Sequence, residues 1–174
     1  TDAALPLGGV ITGGRGNTYF TGSYIQHWGG GIYLDSAAFV LEGGTIYDCG
    51  FRGDASQSVA LFGGGIYSVG GSVRILGGAI RNCVLKGDMA GTGGGLYLDR
   101  DSSFEMTDGV IADCTASGAG GGIYSNCPAI RITGGRIENC TAGTKGGGVY
   151  ISDYKATGKN AILDTTISGC TAKY

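Results

Sequence analysis

Gly63-Gly-Gly-Ile-Tyr67, followed by Ile80-Arg-Asn-Cys83, is the stretch that decides the fold, because the chain contains this pair of phrases five times. The glycine-tyrosine phrase recurs at Gly29 to Tyr33, Gly93 to Tyr97, Gly120 to Tyr124 and Gly146 to Tyr150. The cysteine phrase recurs at Ile46-Tyr-Asp-Cys49, Ile111-Ala-Asp-Cys114, Ile137-Glu-Asn-Cys140 and Ile167-Ser-Gly-Cys170. Self-similarity at such a period is the signature of a solenoid, in which each repeat buries its apolar face against its neighbours.

The spacings say which solenoid. Tyrosine follows tyrosine at 34, 30, 27 and 26 residues, whereas tyrosine to cysteine within a repeat is 16, 16, 17, 16 and 20. Most of the variation therefore lies between each cysteine and the next glycine triplet. The near-constant part holds short alternating runs such as Val73-Arg-Ile75, Phe104-Glu-Met106 and Ile130-Arg-Ile132, with no 3.6-residue period. An alternation of two puts the apolar members inward and the charged member outward, which is strand behaviour. Helical repeats are excluded, and a β-solenoid of about five rungs is expected.

Stacking the repeats predicts three inward columns: Ile32, Ile66, Leu96, Ile123 and Val149; Ile46, Ile80, Ile111, Ile137 and Ile167, with Ile11 as a sixth member; and Leu41, Ile75, Met106, Ile132 and Leu163. Three columns from three short sheets imply a triangular core.

The pattern Gly-Gly-Gly-[Ile/Val/Leu]-Tyr followed by Gly-Gly-x-Ile-x-[Asn/Asp]-Cys-Thr-Ala resembles the parallel β-helix repeats of large bacterial surface and adhesin-like proteins. It is a looser relative of the polymorphic outer-membrane protein repeat, and the resemblance spans about residues 8 to 172. It implies a right-handed parallel β-helix, in keeping with the handedness of parallel crossovers, and an extracellular or cell-surface bacterial setting. Such repeats carry scaffolds, adhesins and occasionally enzymes, so the resemblance speaks to fold more than to function.

Composition agrees. The 174 residues suffice for one domain, residues 1–174, and the 38 glycines without a collagen period suit tight corners. A net charge of -2 without a basic stripe excludes a nucleic-acid partner, and no run is long enough to insert into a membrane. A start at Thr1 without Met suggests a piece of a larger secreted protein.

The candidate site is a tyrosine ladder. Tyr33, Tyr67, Tyr97, Tyr124 and Tyr150 each follow an inward residue and are expected to face solvent, with Asp35, Asp99 and Asn126 two residues further on. Such a row could stack on sugar rings or cover itself with a partner, whether a host or microbial glycan, a surface protein or a second copy of the chain. It could equally do no more than stabilise a parallel sheet. The variable connections, Gly50 to Phe62, Val84 to Thr92, Thr115 to Ala119 and Thr141 to Lys145, should emerge on one edge and offer a second surface. In the first of these, Arg52-Gly53-Asp54 spells an adhesion tripeptide that chance supplies in about one such chain in ten. The aromatic-rich segment Arg15 to Trp28 is expected to cap the solenoid end.

Five of the six cysteines occupy one column, where a buried ladder of reduced thiols is expected ahead of a disulfide framework. Cys127 stands apart in a turn and would be the reactive one if exposed. No cysteine spacing matches a metal site, and no cofactor is expected. Asp99, Arg100 and Asp101, near Asp35 and Asp153, form the best acidic cluster, but the chain has three Glu and one His, and a carbohydrate lyase or hydrolase needs a denser set. The resulting expectation is a non-catalytic, adhesin-like or scaffold module, with a small carbohydrate-active β-helix and a purely structural stalk as alternatives.

Overall fold

The computed structural model describes residues 9–15, 17–21, 24–52, 59–87, 90–152 and 160–174, and all its regular elements are strands. All but three of them stack in parallel as the four walls, rather than three, of a β-solenoid. The tyrosine wall consists of Ile32–Asp35, Ile66–Val69, Leu96–Leu98, Ile123–Ser125 and Val149–Ile151. The next wall, carrying outward charges, is Ala38–Leu41, Ser72–Ile75, Ser103–Met106, Ile130–Ile132 and Ala161–Ile162. The isoleucine wall has six strands: Val10–Thr12, Thr45–Tyr47, Ala79–Arg81, Val110–Ala112, Arg136–Glu138 and Thr166–Ser168. The fourth, unforeseen in the sequence, is Gly50–Arg52, Val84–Lys86, Thr115–Ala116, Thr141–Ala142 and Thr171–Ala172.

The register confirms the first two apolar columns, with Leu96 paired to Ile66 and Ile123, and Ile11 paired to Ile46 as the sixth isoleucine. The third column needs one correction. Ile132 pairs with Ile162, so Leu163 lies one residue past the column and is exposed. A further inward column was missed: Leu34, Ser68, Leu98 and Ser125 are all buried. Ser68 is accommodated there because its hydroxyl lies 3.3 Å from the Ser102 hydroxyl, which itself donates to the Ser68 carbonyl at 3.0 Å, answering the rule that buried polar groups must be paired.

The glycine triplets exist because the tyrosine wall and the fourth wall meet there at backbone distance. A Cβ on Gly94 would lie 2.6 Å from the Thr115 carbonyl oxygen, and one on Gly121 the same distance from that of Thr141. The third glycine gives way to the opposite corner, since a Cβ on Gly122 would stand 3.2 Å from Cys140 Sγ. On the fourth wall, Ala116 and Ala142 are both buried and stand in register with Leu85. At the cysteine corner, Asp48, Asn82, Asp113, Asn139 and Gly169 adopt φ of 53°, 52°, 55°, 54° and 61°. That left-handed turn is one that Asn, Asp and Gly tolerate and most residues do not, which accounts for the residue types before each cysteine.

The aromatic-rich segment forms a hairpin in which Asn17–Thr21 pairs antiparallel with Tyr24–Trp28, and Tyr24–Trp28 pairs parallel with Val59–Phe62. These strands lie in the variable connections, and their ladder runs on from Phe62 to Thr92 of the next rung. At the end where a cap was expected, Val10 and Ile11 stand exposed. His27 stacks on Phe51 with ring centroids 4.7 Å apart, beside a satellite cluster of Leu61 and Leu85. Exposed Ile162 and Ile167 mark the opposite end, so burial is complete only in the middle rungs.

Candidate functional site: the tyrosine face

The five tyrosines form one continuous stack. Successive ring centroids lie 5.4, 5.2, 5.0 and 5.2 Å apart, and the planes diverge by 1°, 3°, 3° and 31°. In-register pairing of parallel strands produces this spacing, since Tyr67, Tyr97, Tyr124 and Tyr150 occupy equivalent positions on adjacent strands. Trp28 stacks against Tyr33 and Tyr67 at 5.9 and 5.6 Å, and Phe62 meets Tyr97 edge-on at 5.0 Å.

The solvent-facing row foreseen in the sequence is therefore corrected. Tyr67 and Tyr97 are only 6% and 8% exposed, while Tyr33, Tyr124 and Tyr150 are half-buried. Each central ring already has both faces covered by its neighbours, so a sugar ring cannot stack on it. What the face can offer a ligand is its edges and its polar rim.

That rim follows a diagonal rule. Tyr67 donates its hydroxyl to Asp99 Oδ2 at 3.2 Å, Asn126 Nδ2 donates to the Tyr97 hydroxyl oxygen at 3.0 Å, and Tyr124 is hydrogen-bonded to Ser152. In each case the partner lies two residues after the tyrosine of the following rung. Val69 holds the corresponding place opposite Tyr33 and brings no polar atom. Burial is the main force raising the phenol pKa values of Tyr67, Tyr97 and Tyr124, and the Asp99 carboxylate adds to it at Tyr67 and Tyr97.

The acidic residues weighed for catalysis are structurally engaged or set in turns. Asp99 is half-buried and also accepts the Arg100 backbone N–H at 2.8 Å. Exposed Asp35 accepts the Ser36 hydroxyl at 3.1 Å, and exposed Asp101 sits in a left-handed turn with φ 64°. Asp153 lies outside the described residues. No group of three or more His, Cys, Asp or Glu among the described residues is placed to hold a metal ion. Of the adhesion tripeptide, Gly53 and Asp54 lie outside the described residues, while Arg52 is engaged with Asp48 at 2.6 Å and the Asn82 carbonyl at 3.0 Å.

The cysteine column contains no disulfide. Cys49, Cys83, Cys114 and Cys140 are buried and Cys170 is half-buried. Each thiol faces the carbonyl two residues earlier, at 3.4 Å for Cys83 and 3.2 Å for Cys114. Thiol contacts with Cys140 and Cys83, then burial, push the Cys114 thiol well up, while contact with Cys114 pulls Cys83 and Cys140 down against their burial. Only an S–H satisfies a carbonyl oxygen, so the column is a chain of neutral thiols. Cys127 is buried too, 2.9 Å from the Ser125 hydroxyl, and not the exposed reactive thiol that its turn position allowed.

The chain matches no protein-family model, no curated protein and no solved structure. Among the described residues no helix is long and apolar enough to cross a membrane.

Proposed function

We propose that this chain is a non-catalytic scaffold module of an extracellular bacterial surface protein, adhesin-like in its use, that holds a glycan or protein ligand at the rim of the tyrosine face. The observation that carries this reading is the diagonal of Tyr67 with Asp99 and Tyr97 with Asn126, which fixes polar groups on a stacked, rigid wall. Preorganised groups lose little conformational entropy on binding, so a few of them give useful selectivity. Half-buried Tyr124 and Tyr150 continue the rim, and the variable connections stand beside it. The test is a glycan and matrix-protein array probed with the purified chain and with Asp99→Ala and Asn126→Ala. Binding lost in both variants, with the tyrosine near-UV dichroism retained, is the expected result.

A structural stalk is the second reading, favoured by ring faces, hydroxyls and thiols that find their partners inside the molecule. An array without any retained ligand selects it. Release of reducing ends or unsaturated sugars from a polysaccharide panel would instead select the carbohydrate-active alternative.

A further inference from the structure

We propose that the stacked tyrosines are a ladder for electron holes: an outer-sphere one-electron oxidant, such as a high-valent metal complex, takes an electron at an open ring edge, and the oxidised site settles on Tyr67, whose proton passes to Asp99. Electron exchange falls off steeply with distance, so oxidisable rings in near-contact let a charge hop from one to the next. The Tyr67 ring centroid lies 5.4 Å from that of Tyr33, 5.2 Å from Tyr97 and 5.6 Å from Trp28, and Tyr97 lies 5.0 Å from Tyr124. Phenol and indole are the rings most easily oxidised in a protein. Phe62, which is not, stands edge-on to Tyr97 beside the path rather than in it. Half-buried Tyr124, on an inner rung, offers the edge at which an oxidant makes contact.

The hydroxyl partners decide where the hole rests. A phenol that has lost an electron is a strong acid, so the oxidised state is favoured where a base can take the proton at once. Of the three inner rings, Tyr67 is the one whose hydroxyl donates to a carboxylate, Asp99 Oδ2 at 3.2 Å, within reach for proton transfer. Tyr97 instead receives an N–H from Asn126 at 3.0 Å, and Tyr124 is hydrogen-bonded to Ser152. Neither an amide nor a hydroxyl is a base at neutral pH.

The step balances with one electron and one proton. The oxidant gains the electron that Tyr97 and Tyr124 relay, Tyr67 becomes a neutral phenoxyl radical, and Asp99 becomes a carboxylic acid that donates back to the phenoxyl oxygen. Burial keeps the Tyr67 phenol protonated beforehand, so the electron and proton must leave together. The radical is then sheltered. Tyr67 is 6% exposed and has a ring on each face, so two copies cannot couple through it to a dityrosine link.

The experiment is flash photolysis of the chain with a ruthenium tris-bipyridine complex and a cobalt(III) ammine as electron sink, followed by electron paramagnetic resonance. The exposed tyrosines off the column, Tyr47 and Tyr174, are replaced by Phe in the reference chain so that the oxidant does not consume them first. Expected is a long-lived tyrosyl signal with a hydrogen bond to its oxygen, lost in Tyr67→Phe. Asp99→Asn keeps the shape and a hydrogen-bonding partner but not the base, and it should lose the long-lived signal too. Tyr97→Phe keeps a ring in the stack and should slow the appearance of the signal. Near-UV dichroism and the urea midpoint establish that each variant keeps the column folded. A signal that survives Tyr67→Phe, equal yield and lifetime in Asp99→Asn, an unchanged rate in Tyr97→Phe, or oxidation recovered only as cross-linked copies would each overturn the proposal.

Discussion

The tyrosine column outside one wall and the cysteine column at the opposite corner each repeat a single residue type through five rungs, yet they reach satisfaction by different routes. The tyrosines use one another for their faces and the next rung for their hydroxyls, as in Tyr97 with Asn126. The cysteines use the backbone, each thiol returning to a carbonyl of its own corner. The difference teaches that a stack of like residues is not automatically a surface. Stacking consumes the flat faces that made tyrosine attractive as a ligand platform, and only the rim is left.

The sharpest way to break both columns at once is to part the walls they rest on. Gly121→Val should abolish the folded state, because even its Cβ would lie 2.6 Å from the Thr141 carbonyl oxygen, a backbone atom with nowhere to go. Loss of the cooperative far-UV melt is the readout.

Next comes the contrast within the tyrosine column. Tyr97→Ala empties a buried site and should destabilise by about 3–5 kcal/mol, whereas Tyr150→Ala, half-buried beside a ring tilted by 31°, should cost about 1–2 kcal/mol. Equal urea midpoints for the two would dissolve the distinction between covered and open rungs. The column should also respond to alkali. A phenol whose folded pKa exceeds its unfolded value contributes stability that is complete below about pH 10 and is lost as the pH climbs from there through the raised folded pKa. Raised values at Tyr67, Tyr97 and Tyr124 therefore predict denaturant midpoints that fall above that pH, with phenolate absorbance appearing late and together with unfolding.

The cysteine column should give a smaller response. Cys114→Ser exchanges a thiol for a hydroxyl in a fully buried apolar setting and should cost about 1–3 kcal/mol, and Cys170→Ser on the open rung clearly less. Smallest of all is Arg74→Ala, which removes the 2.8 Å pair with Glu105 on the outer charged wall. Both partners are partly solvated, so a change of about 0–1 kcal/mol is expected.

The three walls with alternating side chains were legible, because Val73-Arg-Ile75 and its equivalents announce which residues turn inward. The fourth was not. Its strands are two or three residues long, and Thr115–Ala116 or Thr141–Ala142 carries no alternation to read. The displacement of Leu163 by Ile162 arose where the repeat lengthens, from 16 or 17 to 20 residues between tyrosine and cysteine, and where two adjacent apolar residues give residue type nothing to choose between. The tyrosine column could be read residue by residue, but not its covering. Trp28 and Phe62 come from connections whose length varies, and repeat spacing says nothing about where such segments return. Burial of Cys127 escaped for a similar reason, since its inward turn depends on the Ser125 hydroxyl rather than on a periodic pattern.

Most of the length variation between rungs falls between a strand of the fourth wall and the next glycine triplet, while the ladder resumes at the first glycine whatever came before, as in Gly63 N–H to the Thr92 carbonyl and Gly93 N–H to that of Ala119. In genetic terms this corner is a tolerant seam. A DNA segment coding for one coil can be duplicated with its breakpoint anywhere in the connector, and the copied coil will still meet its neighbours in register. The fall in tyrosine spacing from 34 to 26 residues then records trimming or growth at the seam around a coil of nearly constant length. It is also where a foreign peptide could be spliced in without disturbing the wall on either side.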